Sequence, residues 1–330
     1  MKKVTLLLFT FLITAVFCGC AKETTETTEM TETTEATKPP EQRKIPRITW
    51  DNEKLYVDGK PYFIRGINYE GDKAKGGLGK TPVEEIKRDI EMLKDLSVNT
   101  VRLWDTPPHE ILDLLYDNGI MVIMQITDRG SYAGSWTDFR SKEELESYCE
   151  IAREQVRRDK DHPAILMWCI WNDGPFGPEI VKKYSQKEIE NWLEAFAKAI
   201  KEEDPIRPIT SANMDACGYY DLGAKFLDIL GFNNYAGQHG ARGYSHSVTL
   251  RSFDNSLAVG RKYNKPVIIT EAGKHTLTSP ELQGKVIKSL VDAARTRTTG
   301  ICVFQFADQW ANSLATIINS RNRFISLSVI

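Results

Sequence analysis

Histidine is scarce in this 330-residue chain: there are five, and no two stand at the i, i+4 spacing that sets a pair of imidazoles on one helix face. Cysteine is nearly as rare, with six. Two of these, Cys18 and Cys20, lie at the extreme N-terminus, and the other four (Cys149, Cys169, Cys217, Cys302) contain no CxxC pair, so a zinc site is not expected. Cys169 and Cys302 fall inside apolar runs, where a free buried thiol is the default, and a disulfide among the four stays open. No GxGxxG follows an early strand-like segment, which removes the usual dinucleotide cradle. Charge of one sign is also lacking. The formal net charge is −2 and no basic cluster appears beyond the first residues, so nucleic acid is not an expected partner. No metal and no cofactor are expected.

The one long apolar run, Val4 to Phe17, follows Met1-Lys2-Lys3. At about fourteen residues it has the length of a signal-peptide core and is short for a membrane span. It ends in Phe17-Cys18-Gly19-Cys20-Ala21, which resembles the lipobox of prokaryotic lipoproteins at Gly19-Cys20, though Phe17 and Cys18 fit it poorly. Residues 1–20 are therefore read as an export signal with lipidation at Cys20, and ordinary secretion is the alternative. Glu23 to Thr37 is almost wholly Thr and Glu, followed by Lys38-Pro39-Pro40. Such a composition cannot bury enough apolar surface to offset ordering its backbone, so residues 21–46 are expected to be a disordered tether. A lipid at Cys20 would make the membrane a partner.

From residue 47 the pattern changes. ITWDNEKLYVD (48–58) followed by Gly59-Lys60 reads as a small hairpin. Strand-like runs then come at 62–69, 99–104, 120–127, 164–171, 208–212, 227–233, 266–270 and 301–306. Helical periodicity separates them at 82–96, 109–118, 142–159, 185–203, 249–263 and 280–296, with a shorter segment around 219–225. Eight strands alternating with helices over about 250 residues predict a closed (β/α)8 barrel (TIM barrel) over 47–330, preceded by the short hairpin. Residues 311–330 are less cleanly patterned, and the last helix is expected to be short or irregular.

In such a barrel the functional residues collect at the C-terminal ends of the strands. There the sequence places Asn68 and Tyr69, Arg102 and Asp105, Asp128, Asn172 and Asp173, Asn233 to Tyr235, Glu271, and Gln305, Asp308 and Trp310. Carboxylates, amides and aromatics are the groups of a site that handles carbohydrate. HPAILMWCIWNDGP (162–175) is the most pointed of these stretches, a fully apolar run that stops at an amide and a carboxylate; Asn-Asp-Gly-Pro is also ordinary turn composition.

Four blocks carry a more specific likeness: PYFIRGINYE (61–70), DIEMLKDLSVNTVRLW (89–104), HPAILMWCIWND (162–173) and KPVIITEAG (265–273). Together they resemble the clan A retaining glycoside hydrolases, most nearly the family 2 catalytic barrel, with echoes of families 5 and 72. Nothing ahead of the barrel resembles the sugar-binding or immunoglobulin-like domains of family 2. The resemblance implies that Glu271 is the nucleophile, with Arg102 beside it and Tyr235 donating to it. Asn172 would bind the 2-hydroxyl of the reacting sugar and Trp310 would stack on a sugar ring. Asn68 and Asp128 would complete the substrate site.

One position departs from the pattern. The clan has glutamate directly after that asparagine as general acid/base, whereas this chain has Asp173, shorter by one methylene or about 1.5 Å. Retaining enzymes hold their two carboxyls about 5–5.5 Å apart and inverting ones about 6.5–9.5 Å, so the shortening matters. Three outcomes are open: a compensating backbone shift, another acid such as Asp128 or Glu70, or a weak or non-catalytic carbohydrate-binding relative.

Overall fold

The computed structural model describes residues 43–72, 75–126, 138–173, 178–214, 221–238, 244–274 and 279–306. The leader, Cys20 and the tether up to residue 42 lie outside them, as do 307–330 and therefore the expected last helix.

Eight parallel strands close into a barrel: β4 (Ile64–Tyr69), β5 (Thr100–Leu103), β6 (Met121–Gln125), β7 (Ile165–Asn172), β8 (Ile209–Met214), β9 (Leu230–Asn233), β10 (Val267–Ala272) and β11 (Gly300–Val303). Their order around the barrel is their order in the chain, with β11 closing against β4. The three elements before it, β1 (Ile48–Trp50), β2 (Leu55–Val57) and β3 (Lys60–Pro61), form an antiparallel sheet with one strand more than the expected hairpin. Ile48 and Leu55 pack onto the barrel-lining cluster that includes Ile64, Ile123, Met167 and Ile268. Leu55 N donates to Thr299 Oγ1 at 3.1 Å and Tyr62 Oη to Asn99 O at 2.7 Å. Both partners directly precede strands, so the small sheet covers the N-terminal end of the barrel and leaves the C-terminal end for the site.

The helices follow from their periodicity. In α1 (Val83–Asp95) the buried residues are Ile86, Ile90 and Leu93, one stripe at i, i+4, i+7. α2 (His109–Asp117) and α3 (Lys142–Asp159) begin where the sequence places them. A short helix missed by the sequence reading, α4 (Pro178–Lys183), precedes α5 (Gln186–Glu203), whose Ser185 and Glu188 form a reciprocal capping box. The segment expected around 219–225 is, in its described part, a single 3-10 turn at Ala224–Phe226. α6 (His246–Tyr263) ends on Asn264 in the left-handed region (φ 54°), and α7 (Pro280–Arg295) starts under a Ser279 cap. Residues 43–46, the end of the expected tether, lie on the barrel wall. Arg43 Nε donates to Asp117 Oδ1 at 3.0 Å and its Nη1 pairs with Asp113.

All eight residues of β7 are buried, as expected for a strand covered on both faces. Its pairing with β8 shifts register between Cys169 and Asn172, and β10 shifts against β9 between Ile269 and Glu271. Irregularities of this kind re-aim side chains. They fall at the ends of the two strands that carry Asn172 and Glu271.

Candidate active site

β10 runs two residues beyond the expected Thr270, so Glu271 is a strand residue with a fixed direction rather than the start of a loop. Its side chain is 5% exposed and meets Arg102, which is fully buried, at 2.7 Å from Nη1 to Oε1. Arg102 stands on β5 and its fork binds four acceptors. Nη1 also donates to Asn68 Oδ1 at 2.9 Å, while Nη2 donates to Gln125 Oε1 at 3.0 Å and to Asn172 Oδ1 at 2.9 Å. Trp104 covers the guanidinium, with its ring centroid 4.5 Å from Cζ. One planar cation thus ties β4, β6, β7 and β10 together, a task for which lysine has the charge but not the geometry.

The second oxygen of Glu271 accepts from Tyr235 Oη at 2.9 Å. Burial pushes the Glu271 carboxyl above its ordinary range. The Arg102 charge and the bonds from Arg102 and Tyr235 draw it back down, while the negative charge of Asp173 pushes it up again. Burial, then Glu271, then Asp173 raise the Tyr235 phenol, so it remains a donor. Glu271 is therefore a desolvated carboxylate with both oxygens held, which suits attack on an electrophilic carbon.

Asp173 directly follows β7 in the left-handed backbone region, φ 50°, an unusual conformation for a residue with a Cβ. Asn172 Nδ2 donates to its Oδ2 at 3.0 Å, and Asn233 Nδ2 donates to its Oδ1 at 2.8 Å. Asn233 Nδ2 also reaches Asn172 Oδ1 at 3.1 Å. The two carboxylates thus belong to one connected network, from Glu271 through Arg102 and Asn172 to Asp173. Glu70, an alternative acid in the sequence reading, is buried at the end of β4 and has interactions of its own. Asp173 is the carboxylate whose charge acts on Glu271.

Of the residues expected at the site, the structure brings together Glu271, Arg102, Tyr235, Asn172, Asp173 and Asn68; Asn68 also reaches past β11 to β10 through Nδ2 to Thr270 O at 3.1 Å. Asp128, Trp310 and Cys20 lie outside the described residues. Asp105 turns away to accept from Leu78 N at 3.3 Å. The sequence reading missed Gln125, although a glutamine ending the apolar run MVIMQ was a visible signal. It also missed Phe304, which follows β11 and packs edge-on to Tyr235, centroids 6.3 Å apart, and to Trp104 at 6.5 Å. An aromatic surface is therefore present at the eighth strand without Trp310. Cys149, Cys169 and Cys302 are buried free thiols, so no disulfide forms among the described residues.

The profile of "Glycosyl hydrolases family 2, TIM barrel domain" matches residues 48–315. A relative named β-glucuronidase from Felis catus is 29% identical over 238 residues, covering 71% of this chain and 34% of its own length. A solved β-glucuronidase from an uncultured Clostridium sp. is 27% identical with TM-score 0.65, covering 80% of this chain and 47% of that one. A family 2 β-galacturonidase from Eisenbergiella tayi shares the fold at 20% identity and TM-score 0.64, over 82% of this chain and 48% of that one. The chain spans about a third of the length of the curated relatives it matches. On the profile match and the closed barrel together, the chain belongs to glycosyl hydrolase family 2, of which it carries the TIM barrel domain.

Proposed function

We propose that this chain cleaves β-glycosidic bonds by a retaining double displacement. The observation that carries the reading is the desolvated Glu271 carboxylate, held by Arg102 and Tyr235 and joined through one network to Asn172 and Asp173. In the first step Glu271 attacks the anomeric carbon while the bond to the aglycone oxygen breaks, and Asp173 gives its proton to that oxygen. In the second, Asp173 takes a proton from water or from a sugar hydroxyl, whose oxygen attacks the same carbon and releases Glu271. Asn172 Nδ2 donates one hydrogen to Asp173, and its second, which has no partner among the described residues, is assigned to the sugar 2-hydroxyl. Arg102 keeps Glu271 anionic before the first step and favours its return as a carboxylate in the second, and Phe304 offers a face to the sugar ring.

The names of the relatives make β-D-glucuronides and β-D-galacturonides the first substrates to test, beside neutral aryl β-glycosides and glucan or mannan oligomers. Turnover of one of these by the wild type, lost in Glu271→Gln, is the expected result; turnover unchanged in Glu271→Gln refutes the assignment. A 2-fluoro sugar that becomes covalently attached at Glu271 supports retention, and product analysis with an added sugar acceptor separates hydrolysis from transfer. The second reading, a carbohydrate-binding barrel without turnover, rests on Asp173 replacing glutamate; it predicts saturable oligosaccharide binding and no hydrolysis. The leader and Cys20 support export and lipid attachment, checked by mass spectrometry of the mature N-terminus.

A further inference from the structure

Asn233 ends β9 with its side chain almost wholly out of solvent, 2% exposed. A primary amide has two N–H donors and one carbonyl acceptor, and every one of these groups is engaged here. Nδ2 reaches Asp173 Oδ1 at 2.8 Å and Asn172 Oδ1 at 3.1 Å, and Oδ1 accepts from Thr270 Oγ1 at 2.8 Å. Thr270 is fully buried and is the chain neighbour of Glu271. The two acceptor oxygens of Asp173 and Asn172 fix which way the Asn233 amide faces, because the flipped amide would set an oxygen against both, and the Thr270 hydroxyl holds the amide in that position from behind. Amide and hydroxyl together therefore present Asp173 with a donor from the strand between β8 and β10. On its other side Asp173 receives the Asn172 amide at 3.0 Å.

We infer that Asn233, held from behind by Thr270, is a positioning residue for Asp173 that compensates for its missing methylene; this rests on the proposed role of Asp173 as acid/base. A shorter side chain must be brought to the glycosidic oxygen by its backbone, and Asp173 has left the ordinary regions of backbone space to φ 50°. Left-handed conformations of non-glycine residues persist when surrounding contacts over-determine them. Two amides, one on β7 and one on β9, supply that determination. The carboxyl so held is the one whose charge acts on both Glu271 and Tyr235. A residue that acts through the acid should matter in proportion to how much the leaving group needs a proton.

The test compares leaving groups on one sugar. A 2,4-dinitrophenyl glycoside leaves without protonation, whereas an alkyl glycoside requires it. Asn233→Ala is expected to lose about 10²-fold in kcat/KM on the alkyl glycoside, the scale of a misplaced catalytic group, and under about threefold on the dinitrophenyl glycoside. Added azide should accelerate turnover of the dinitrophenyl glycoside by Asn233→Ala and leave wild type unaffected. Should Asn233→Ala fail to fold by circular dichroism, Thr270→Val must show the same split in milder form, and Thr270→Ser, which keeps the hydroxyl, must return the ratio towards that of wild type. Equal losses on both substrates, or no loss on either, overturn the inference while the glycosidase reading stands. A wild type that neither hydrolyses the dinitrophenyl glycoside nor is labelled at Glu271 by a 2-fluoro sugar overturns that reading, and the positioning role with it.

Discussion

The guanidinium of Arg102 lies 2.7 Å from the carboxylate of Glu271, with Arg102 fully buried and Glu271 nearly so. A buried pair of this kind is costly to half-remove, because the remaining charge is left without a partner, at about 3–5 kcal/mol. Arg102→Met should lower the denaturation midpoint accordingly. It also removes the positive charge that holds the Glu271 carboxyl down, so that carboxyl rises further. The acid limb of kcat/KM should move to higher pH, read on a dinitrophenyl glycoside so that proton donation does not intervene.

Arg102→Lys keeps the charge and loses the fork. A lysine cannot serve Glu271, Asn68, Gln125 and Asn172 from one plane. The expected outcome is a folded protein with kcat/KM down by about 10²-fold, since small displacements of positioned groups cost on that scale. Activity within a factor of about three of wild type would show that the fork is dispensable.

Asp173→Asn moves the same limb the other way. The negative charge of Asp173 raises the Glu271 carboxyl, so its removal lets Glu271 ionise at lower pH. The sign is fixed by like charges, whose separation favours the anion. A pH–rate profile on the dinitrophenyl glycoside with the acid limb unmoved, or moved upward, contradicts the coupling between these two carboxylates.

Gly231→Ala tests the barrel itself. A Cβ at this position would overlap the backbone carbonyl of Ser211 and press on Thr270 Cγ2. A backbone atom in a closed barrel has little room to give way, and overpacking of this kind costs about 1–3 kcal/mol or more. The expected readout is a clearly lowered melting temperature, with a loss of activity if the β9–β10 register carrying Asn233 and Glu271 shifts.

The thiols offer a test of burial. Burial pushes the Cys149 thiol up to about 11 and the Cys302 thiol up to about 12, and Cys169 is raised for the same reason. Thiolate is the reactive form, so at pH 8 these three should resist alkylation in the folded protein and react once denaturant is added. Mass mapping after a brief iodoacetamide pulse reads this directly.

Much of the molecule was legible in the linear chain. Alternation of period-2 or fully apolar runs with helical stripes such as Ile86, Ile90 and Leu93 predicts a (β/α)8 barrel, and the eight strands of the observed barrel follow one another in chain order. Glu271, Arg102, Tyr235 and Asn172 were visible because in a parallel barrel every strand must end on the same face, so polar residues at strand ends are brought to one place wherever they lie in the sequence. Strand limits were less legible. β10 extends through Glu271 because its neighbours β9 and β11 continue to offer backbone partners, which no local pattern announces. α4 was not visible at all, being too short to show a period.

What the sequence by itself determined, then, is the barrel, the strand on which each candidate residue stands and the presence of aspartate directly after Asn172, since these follow from periodicity and residue identity. What only the tertiary structure decided is how that aspartate is held. The left-handed backbone at Asp173, the amide of Asn233 across from it and the hydroxyl of Thr270 behind that amide come from β7, β9 and β10. Their meeting depends on barrel closure and on the register shifts at two strand ends, which are properties of the assembled sheet and of no single segment.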